Sequence, residues 1–379
     1  VVVGFRLRPY LCLSPDAQGE IPPIRGVGDS PMQRHLSLTA IIAILLVVPI
    51  VTVQAQDDLQ AAVEAADALR VALRYDEALA AYAAIIAQHP DAVAAYAGRA
   101  IVYANTDRYD EAMADIGKAL EIDANYPPAI RARGIVHGEQ GRIEEALTDF
   151  TKAAELDPNY AGAHHSIGAA LIYLGRIDEA IASLSRAIEL DDEYADSYSA
   201  RGAAYVFAGE HQKAITDLDK AIELLPQDPM PYNNRGGAYM KMERLQDALA
   251  DFDKAIELDP DYADAWMNRG GVYYMMGQSD KAITELDRAA ELNGANPQIF
   301  FNRALAHEDL GHLIDAIFDY SRVIDLVPGA IAAMISRAHL CRQLAVQDCE
   351  GVLEADPEGP HAQAAEALLE QIQPAEEGE

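Results

Sequence analysis

The chain has 379 residues, of which 50% are apolar and 24% charged, a balance typical of a folded protein rather than a disordered one. Its 29 Lys and Arg residues stand against 61 Asp and Glu residues, so the formal net charge is −32. Because a polyanion repels phosphate groups, this charge disfavours nucleic acids and anionic membrane surfaces as partners and leaves neutral or cationic ones.

The first 55 residues form two segments. Residues 1–31 show no apolar periodicity, and we expect an upstream extension that is unstructured or not translated, with the true start at Val1 or Met32. Residues 32–55 follow the order of a secretory signal peptide: a basic segment with Arg34, an apolar run over residues 36–53, and short residues before a cut near Ala55. We expect cleavage there and export to the periplasm or the extracellular space. The alternative is an uncleaved anchor over residues 36–53, since about 18 apolar residues can just span a bilayer. That anchor is the one membrane contact we expect.

From Leu59 to about Pro357 the chain repeats itself with a period of 34 residues, which predicts an array of stacked units. We number the positions of each repeat from 1 to 34. The nine repeats begin at Leu59, Val93, Pro127, Ala161, Ala195, Pro229, Ala263, Pro297 and Ile331. Eight of them carry alanine at position 20: Ala78, Ala112, Ala146, Ala180, Ala214, Ala248, Ala282 and Ala316.

Within a repeat, the apolar spacing predicts two helices. The first half of the sixth repeat places four residues at i, i+3, i+4 and i+7 of one helix face: Tyr232, Arg235, Gly236 and Tyr239. The second half does the same with Ala248, Phe252 and Ala255. Pro260 closes the unit, because proline cannot continue a helix.

This pattern of an aromatic residue, Arg-Gly, Tyr, a turn glycine, Ala, a second aromatic residue, Ala and Pro resembles the tetratricopeptide repeat family over residues 59–357. The resemblance implies an all-α, right-handed superhelical solenoid of helix-turn-helix repeats. It also implies a non-enzymatic scaffold that binds an extended peptide or a partner protein in its concave groove.

The C-terminal repeat departs from the pattern, because the residues of its turn are missing. Residues 332–353 are expected to form one long helix or a hairpin with a tight corner. In one helix Cys341 and Cys349 lie about 12 Å apart, too far for a disulfide, whereas a hairpin lets them pair. Otherwise we expect both to fill small buried positions. Residues 360–373 are expected to form a capping helix and residues 374–379 an acidic tail.

Position 7 is arginine in seven of the nine repeats, and position 23 is an acid in the same seven, where the acid of the ninth repeat arrives five residues early. A half-buried charge without a partner costs several kcal/mol, so we predict a structural ion pair between the two helices of each of these repeats. The predicted pairs are Arg99–Asp115, Arg133–Asp149, Arg201–Asp217, Arg235–Asp251, Arg269–Glu285, Arg303–Asp319 and Arg337–Asp348.

The resemblance also implies where a ligand binds, since the first helices of such repeats line the concave face. An asparagine amide offers a donor and an acceptor to a peptide backbone, and methionine adapts to apolar surfaces. The alternative is that the asparagines bond to neighbouring helices and that Met267 and Phe301 pack between repeats. The groove residues expected on this basis are His165, Tyr173, Phe207, Asn233, Asn234, Met240, Met267, Asn268, Tyr274, Phe301 and Asn302.

Motifs for catalysis, metals or cofactors were not found, and we expect no enzyme and no cofactor. His307 and His312 flank a predicted helix end, but the sequence shows no acid at a spacing typical of a metal site. Two rival functions remain. One is an assembly module that uses its ends or convex face and leaves the groove unused. The other is a catalytic or carbohydrate-processing role. The sequence predicts neither the identity of the partner nor the oligomeric state.

Overall fold

The computed structural model describes residues 56–72, 74–355, 357–359 and 361–372. In these ranges the chain forms 18 helices and no strand. None of these helices is both long and apolar enough to cross a membrane. The expected extension (residues 1–31), the signal peptide (residues 32–55) and the acidic tail (residues 374–379) lie outside the described residues.

The described residues form two compact units, one ending at Asp228 and the other beginning at Pro229. The described part of unit one has ten helices: α1 (Gln56–Val71), α2 (Tyr75–Gln88), α3 (Val93–Asn105), α4 (Tyr109–Ile122), α5 (Pro127–Glu139), α6 (Ile143–Leu156), α7 (Ala161–Tyr173), α8 (Ile177–Leu190), α9 (Ala195–Phe207) and α10 (His211–Leu224). That of unit two has eight: α11 (Pro229–Lys241), α12 (Leu245–Leu258), α13 (Ala263–Met275), α14 (Ser279–Leu292), α15 (Pro297–Asp309), α16 (Leu313–Leu326), α17 (Ile331–Ala355) and α18 (Ala362–Ile372).

Within each unit the helices pack in chain order, as a stack of helix pairs. Each odd-numbered helix up to α15 is the first helix of a repeat, and the even-numbered helix after it is the second. Each second helix also packs against the first helix of the next repeat in its unit. The all-α solenoid predicted from the 34-residue period is therefore confirmed.

Short turns at position 15 reverse the chain inside a repeat. Five of these turns hold a glycine in the left-handed region, a conformation that glycine adopts without steric cost. The glycines and their φ angles are Gly141 (78°), Gly175 (71°), Gly209 (76°), Gly277 (68°) and Gly311 (75°). Asp107 and Glu243 adopt the same conformation, with φ of 60° and 59°. The turn therefore depends on the backbone conformation, and two repeats form it without glycine.

The core of each repeat combines a small residue and a large one on the second helix. All eight alanines at position 20 have no exposed surface. One turn further on, position 24 carries a large side chain that is at most 1% exposed in every repeat: Tyr82, Ile116, Phe150, Leu184, Leu218, Phe252, Leu286 and Tyr320. Burying such a side chain contributes about 1.5–3 kcal/mol of hydrophobic stabilisation, so this position supplies much of the packing between the helices.

Glycine at position 8 of the first helix makes room for that large side chain. A Cβ atom placed on Gly134 would lie 2.5 Å from Cε1 of Phe150, and one placed on Gly236 would lie 2.7 Å from Cε1 of Phe252. At Gly134 the carbonyl oxygen of Ala146 is also near, at 3.1 Å, but the aromatic ring is closer.

The ninth repeat is a single helix of 25 residues, α17, rather than a hairpin. Both of its cysteines are free, with Cys341 exposed and Cys349 buried. The expectation that both fill buried positions is therefore wrong for Cys341. Helix α18 packs against α17 and buries Ala362 and Ala365.

Candidate protein-binding site

Ion pairs between the two helices hold six repeats in shape. In each, the arginine of the first helix donates two hydrogen bonds of 2.6–3.0 Å to the acid of the second helix. Five of the six acids are buried, which makes each carboxylate dependent on its arginine. The pairs are Arg99–Asp115, Arg133–Asp149, Arg201–Asp217, Arg235–Asp251, Arg269–Glu285 and Arg303–Asp319.

The seventh predicted pair, Arg337–Asp348, is wrong. Both residues lie on the continuous helix α17, where eleven residues separate them by about 16 Å along the axis. Arg337 instead donates from Nη1 to Ser321 Oγ of the preceding repeat, at 3.1 Å. Arg269 and Arg303 also donate to the preceding repeat, to Asp253 at 2.6 Å and to Asp287 at 2.7 Å respectively.

The two repeats without the arginine use other hydrogen bonds at this place. In the fourth repeat Ser183 Oγ donates to the carbonyl oxygen of His164 at 2.7 Å. In the first repeat Tyr82 Oη donates to Asp67 Oδ1 at 2.7 Å, and Arg70 pairs with the same oxygen at 3.0 Å. Each of the eight full repeats thus links its two helices by a polar contact, although the residues differ.

In unit two, the predicted asparagine row is partly occupied by contacts within the protein. Asn233 and Asn234 on α11 and Asn268 on α13 are buried, whereas Asn302 on α15 is half-buried. Asn268 Nδ2 donates to Asn233 Oδ1 at 2.9 Å, and Asn302 Oδ1 accepts from Gln298 at 2.7 Å. The Asn233–Asn268 bond links neighbouring repeats, as the alternative interpretation proposed. Asn233 Nδ2 is buried and has no hydrogen-bond partner among the described residues.

The predicted apolar groove wall in unit two lies largely inside the protein. Met240 packs in a cluster with Phe252 and Val272, and Met267 packs with Leu286 and Ile299. These two methionines are 8% and 3% exposed, so their assignment to a groove wall is replaced by packing between repeats. The reason is that this side of a first helix faces the next repeat.

Phe301 and Tyr274 are only half-buried. The ring of Phe301 meets Tyr320 edge-on, with centroids 5.5 Å apart. Tyr274 lies at the edge of the cluster that contains Met267. Phe301 therefore packs on the second helix of its own repeat, Tyr274 packs where two repeats meet, and both keep a partly open face.

In unit one, position 5 of three successive repeats carries Arg131, His165 and Ser199, all at most 5% exposed. Arg131 Nε donates to the carbonyl oxygen of Gly162 at 2.9 Å and to Ser166 Oγ at 2.8 Å. His165 Nδ1 shares a hydrogen bond of 3.1 Å with Ser197 Oγ. Arg131 Nη2 and Ser199 Oγ are buried without a hydrogen-bond partner in the described part of the chain.

The electrostatics of this row keep His165 neutral. Burial and then the nearby guanidinium of Arg131 lower the pKa of His165 to about 3. The ring stacks at a tilt on Tyr194, with centroids 5.0 Å apart, and burial raises the pKa of that tyrosine. Because neither group ionises near neutral pH, Arg131 carries the charge of this cluster.

Two predicted groove residues of unit one are exposed. Tyr173 and Phe207 occupy position 13 at the ends of α7 and α9, and they are 43% and 37% exposed. They are the predicted site residues that the structure leaves most accessible.

Sequence reasoning missed two features. The hydrogen bonds of Arg131 to the next repeat were not predicted, although three polar residues at position 5 of successive repeats were a visible signal. A convergence of His307, His312 and Asp315 at one turn was also missed, although the three-residue spacing of His312 and Asp315, which brings two side chains to one side of a turn, was a visible signal. These three side chains are the described residues that could hold a metal ion.

Comparisons with known proteins agree with this architecture. Family models described as TPR repeat match residues 138–172, 169–207, 236–277 and 272–311. Models described as tetratricopeptide repeat match residues 55–129 and 195–228. A search of curated proteins found no match.

Solved structures give the same fold. The chain is similar to a chain in the crystal structure of the APC/C hetero-tetramer Cut9-Hcn1, with a TM-score of 0.69 and 21% identity over 76% of this chain and 56% of that chain. It is also similar to a tetratricopeptide repeat protein from Parabacteroides merdae, with a TM-score of 0.52 and 13% identity over 66% of this chain and 98% of that chain. The protein thus spans a little more than half the length of the first of these.

At such identities the likeness shows the fold alone. Together, the 34-residue period, the stacked helix pairs and the matched repeats show that the chain belongs to the tetratricopeptide repeat family, whose members are generally protein-interaction modules.

Proposed function

We propose that the chain is a non-enzymatic scaffold that binds an extended segment of a partner protein along the first helices of its repeats. The observation that carries this proposal is the exposure of Tyr173 and Phe207 at the same position of consecutive repeats. Large aromatic side chains bury much area at little conformational cost, so aligned exposed rings mark a surface for a partner.

The charge of the chain favours a neutral or cationic partner, since the net charge is −32. We also propose that the scaffold acts outside the cytoplasm. The support is the signal-like order of residues 32–55 in the sequence. Mass spectrometry of protein recovered from the cell envelope and the medium tests this second point. A mature chain that begins at Gln56 is expected, and a chain that retains residues 36–53 would favour the anchor.

A second function, an assembly module, is favoured by one observation on the outer side of the last full repeat. Ile314 and Phe318 on α16 are each 69% exposed. The other seven full repeats carry Asp, Glu or Gln at the first of these positions and Ala or Thr at the second. Two neighbouring apolar side chains in water favour contact with another protein surface.

Two matched double variants separate these functions. Tyr173→Ser with Phe207→Ser removes the exposed aromatic pair of the first helices, and Ile314→Ser with Phe318→Ser removes the exposed apolar pair of a second helix. Both use chains that begin at Gln56, as bait for cell-envelope and culture extracts. Captured partners are then titrated for affinity, and light scattering gives the oligomeric state.

The scaffold proposal expects the aromatic variant to weaken partner binding by about tenfold or more, with the apolar variant unchanged. Loss of oligomers or of partners in the Ile314 and Phe318 variant alone would instead assign the function to the outer face. Replacing the asparagines of the predicted row by alanine is a poorer test, because Asn268→Ala also breaks the hydrogen bond to Asn233.

A further inference from the structure

The turn between α15 and α16 brings together two imidazoles and a carboxylate. His307 lies in the last turn of α15, His312 immediately precedes α16, and Asp315 lies in the first turn of α16. One potential ligand atom from each residue lies within 4.8 Å of those of the other two. His307 is half-buried, whereas His312 and Asp315 are exposed, so the cluster opens to solvent.

The backbone of the turn fixes this approach. Gly311 adopts a φ of 75°, and the backbone N–H of His312 donates to the carbonyl oxygen of His307 at 2.8 Å. The two rings then lie 5.7 Å apart between centroids. Because both histidines belong to one hydrogen-bonded turn, their proximity does not depend on packing between distant segments.

His307 has a nitrogen left over for a ligand. Its Nδ1 is buried and has no hydrogen-bond partner among the described residues. Its Nε2 faces Asp319 Oδ2 at 3.9 Å, and Arg303 holds that carboxylate with bonds of 2.8 and 2.6 Å. A carboxylate that accepts from the second ring nitrogen is the usual partner of a metal-binding histidine, and Asp319 lies just beyond hydrogen-bond distance of that nitrogen.

Other repeats show what normally fills this place. Five of them carry arginine at position 16, and it pairs with the acid at position 19 at 2.5–2.9 Å: Arg74–Glu77, Arg108–Glu111, Arg142–Glu145, Arg176–Glu179 and Arg244–Asp247. In the eighth repeat His312 replaces this arginine. Within the described ranges, Asp315 forms no ion pair with an arginine or a lysine, so its carboxylate is available.

We propose that His307, His312 and Asp315 bind a divalent transition-metal cation, with zinc as the best match. Imidazole suits zinc, copper and nickel, whereas magnesium and calcium prefer oxygen ligands alone. Three protein ligands leave a fourth zinc position for water or for a partner's side chain. Tetrahedral zinc needs ligand atoms roughly 3.4 Å apart, so the longest separation of 4.8 Å must close by about 1.4 Å, through movement of the exposed side chains of His312 and Asp315.

The test is calorimetric titration of the chelator-treated full chain with zinc chloride. The buffer contains excess magnesium. One site per chain is expected. His312→Arg recreates the arginine–acid pair of the third repeat, in which His137 occupies the position of His307. Because that repeat folds with this combination, the variant is expected to fold normally in the presence of chelator. Asp315→Asn keeps the shape and removes the anionic ligand.

Each of these substitutions is expected to weaken zinc binding by about 100-fold. The control is His137→Ala, which lies on the matching turn of the third repeat, where arginine stands in place of the second histidine. This substitution is expected to leave the affinity for zinc unchanged. Cobalt loading provides an independent readout, since a tetrahedral visible spectrum is expected for the wild type and not for His312→Arg. Zinc binding that survives both substitutions, that magnesium displaces, or that is absent from the wild type would overturn the proposal.

Discussion

Buried charges in this protein depend on their partners residue by residue. Asp251 is 6% exposed and accepts two hydrogen bonds from Arg235. The fourth repeat shows the same place without charge, because Ile167 and Ser183 replace the pair and Ser183 bonds to a carbonyl oxygen. A charged pair and a neutral arrangement therefore both fit this fold, whereas half of a pair is expected to leave a buried charge without compensation.

Arg235→Ile alone should destabilise the protein by about 3–5 kcal/mol, since it leaves a buried carboxylate without compensation. Adding Asp251→Ser should recover a large part of that loss, because the introduced serine can donate to the carbonyl oxygen of Tyr232, as in the fourth repeat. Urea unfolding of both single variants and the double variant measures the coupling. Costs that simply add would show that the two side chains do not depend on each other.

Protonation of His165 should make acid destabilising. The pKa of this buried ring is about 3, against about 6.5 in an unfolded chain. Between these values the unfolded chain binds a proton that the folded chain does not. The contribution of the neutral His165 ring to the free energy of unfolding is thus fully present above about pH 6.5. It falls by up to about 1.4 kcal/mol for each unit that the pH is lowered towards about 3.

His165→Asn should remove this part of the pH dependence, and His339→Asn, at an exposed ring, should keep it. Thermal unfolding from about pH 7 to about pH 5 compares the two variants with the wild type. A parallel loss of stability in wild type and His165→Asn would contradict a buried neutral ring.

At the scale of the helix, adjacent glycines have opposite roles. A Cβ atom on Gly270 would lie 2.9 Å from Cγ of Leu286, whereas one on Gly271 would meet nothing within 4 Å. Both lie inside α13, so both weaken the helix relative to alanine. Only the first glycine therefore has a packing reason to be there.

Gly270→Ala should destabilise the protein by about 1–3 kcal/mol, because the added methyl group pushes α13 away from α14. Gly271→Ala should be neutral or stabilising by up to about 1 kcal/mol through helix propensity. Thermal unfolding of the two variants side by side measures the difference. Equal effects would mean that the helices do not approach as closely as the structure has them.

Sequence periodicity predicted the elements well where the turn residues were present. It left α17 open, because the ninth repeat lacks the turn while keeping residues that suit a helix. The ion pairs were predictable because both members vary together among repeats. The surroundings of positions 5, 6 and 12 were not predictable, since a residue of a first helix can face either the groove or the next repeat. The bond between Asn233 and Asn268 joins residues 35 apart, and no local pattern indicates it.

At the scale of the whole molecule, acidic residues outnumber basic ones by about two to one, 61 against 29. Many basic side chains are already paired within their own helix, at i and i+3. The remaining charge is almost entirely negative and repels itself in the folded state.

Raising the salt concentration from about 10 mM to about 150 mM NaCl should therefore raise the melting temperature, because screening weakens repulsion among exposed carboxylates. The same salt should weaken binding of a cationic partner. Thermal unfolding in the presence of chelator separates screening from metal binding. A melting temperature that falls with salt would mean that the exposed ion pairs outweigh the net repulsion.

The coupled pairs also constrain how this gene can change. A repeat that loses only its arginine leaves a carboxylate with little solvent and no partner, so we expect that single change to destabilise the protein. The first and fourth repeats carry no charge at positions 7 and 23, with alanines at both positions in one and Ile167 with Ser183 in the other. Among natural variants, we expect the residues at positions 7 and 23 to be replaced together or not at all. At the exposed pairs of positions 16 and 19, we expect single replacements to be common.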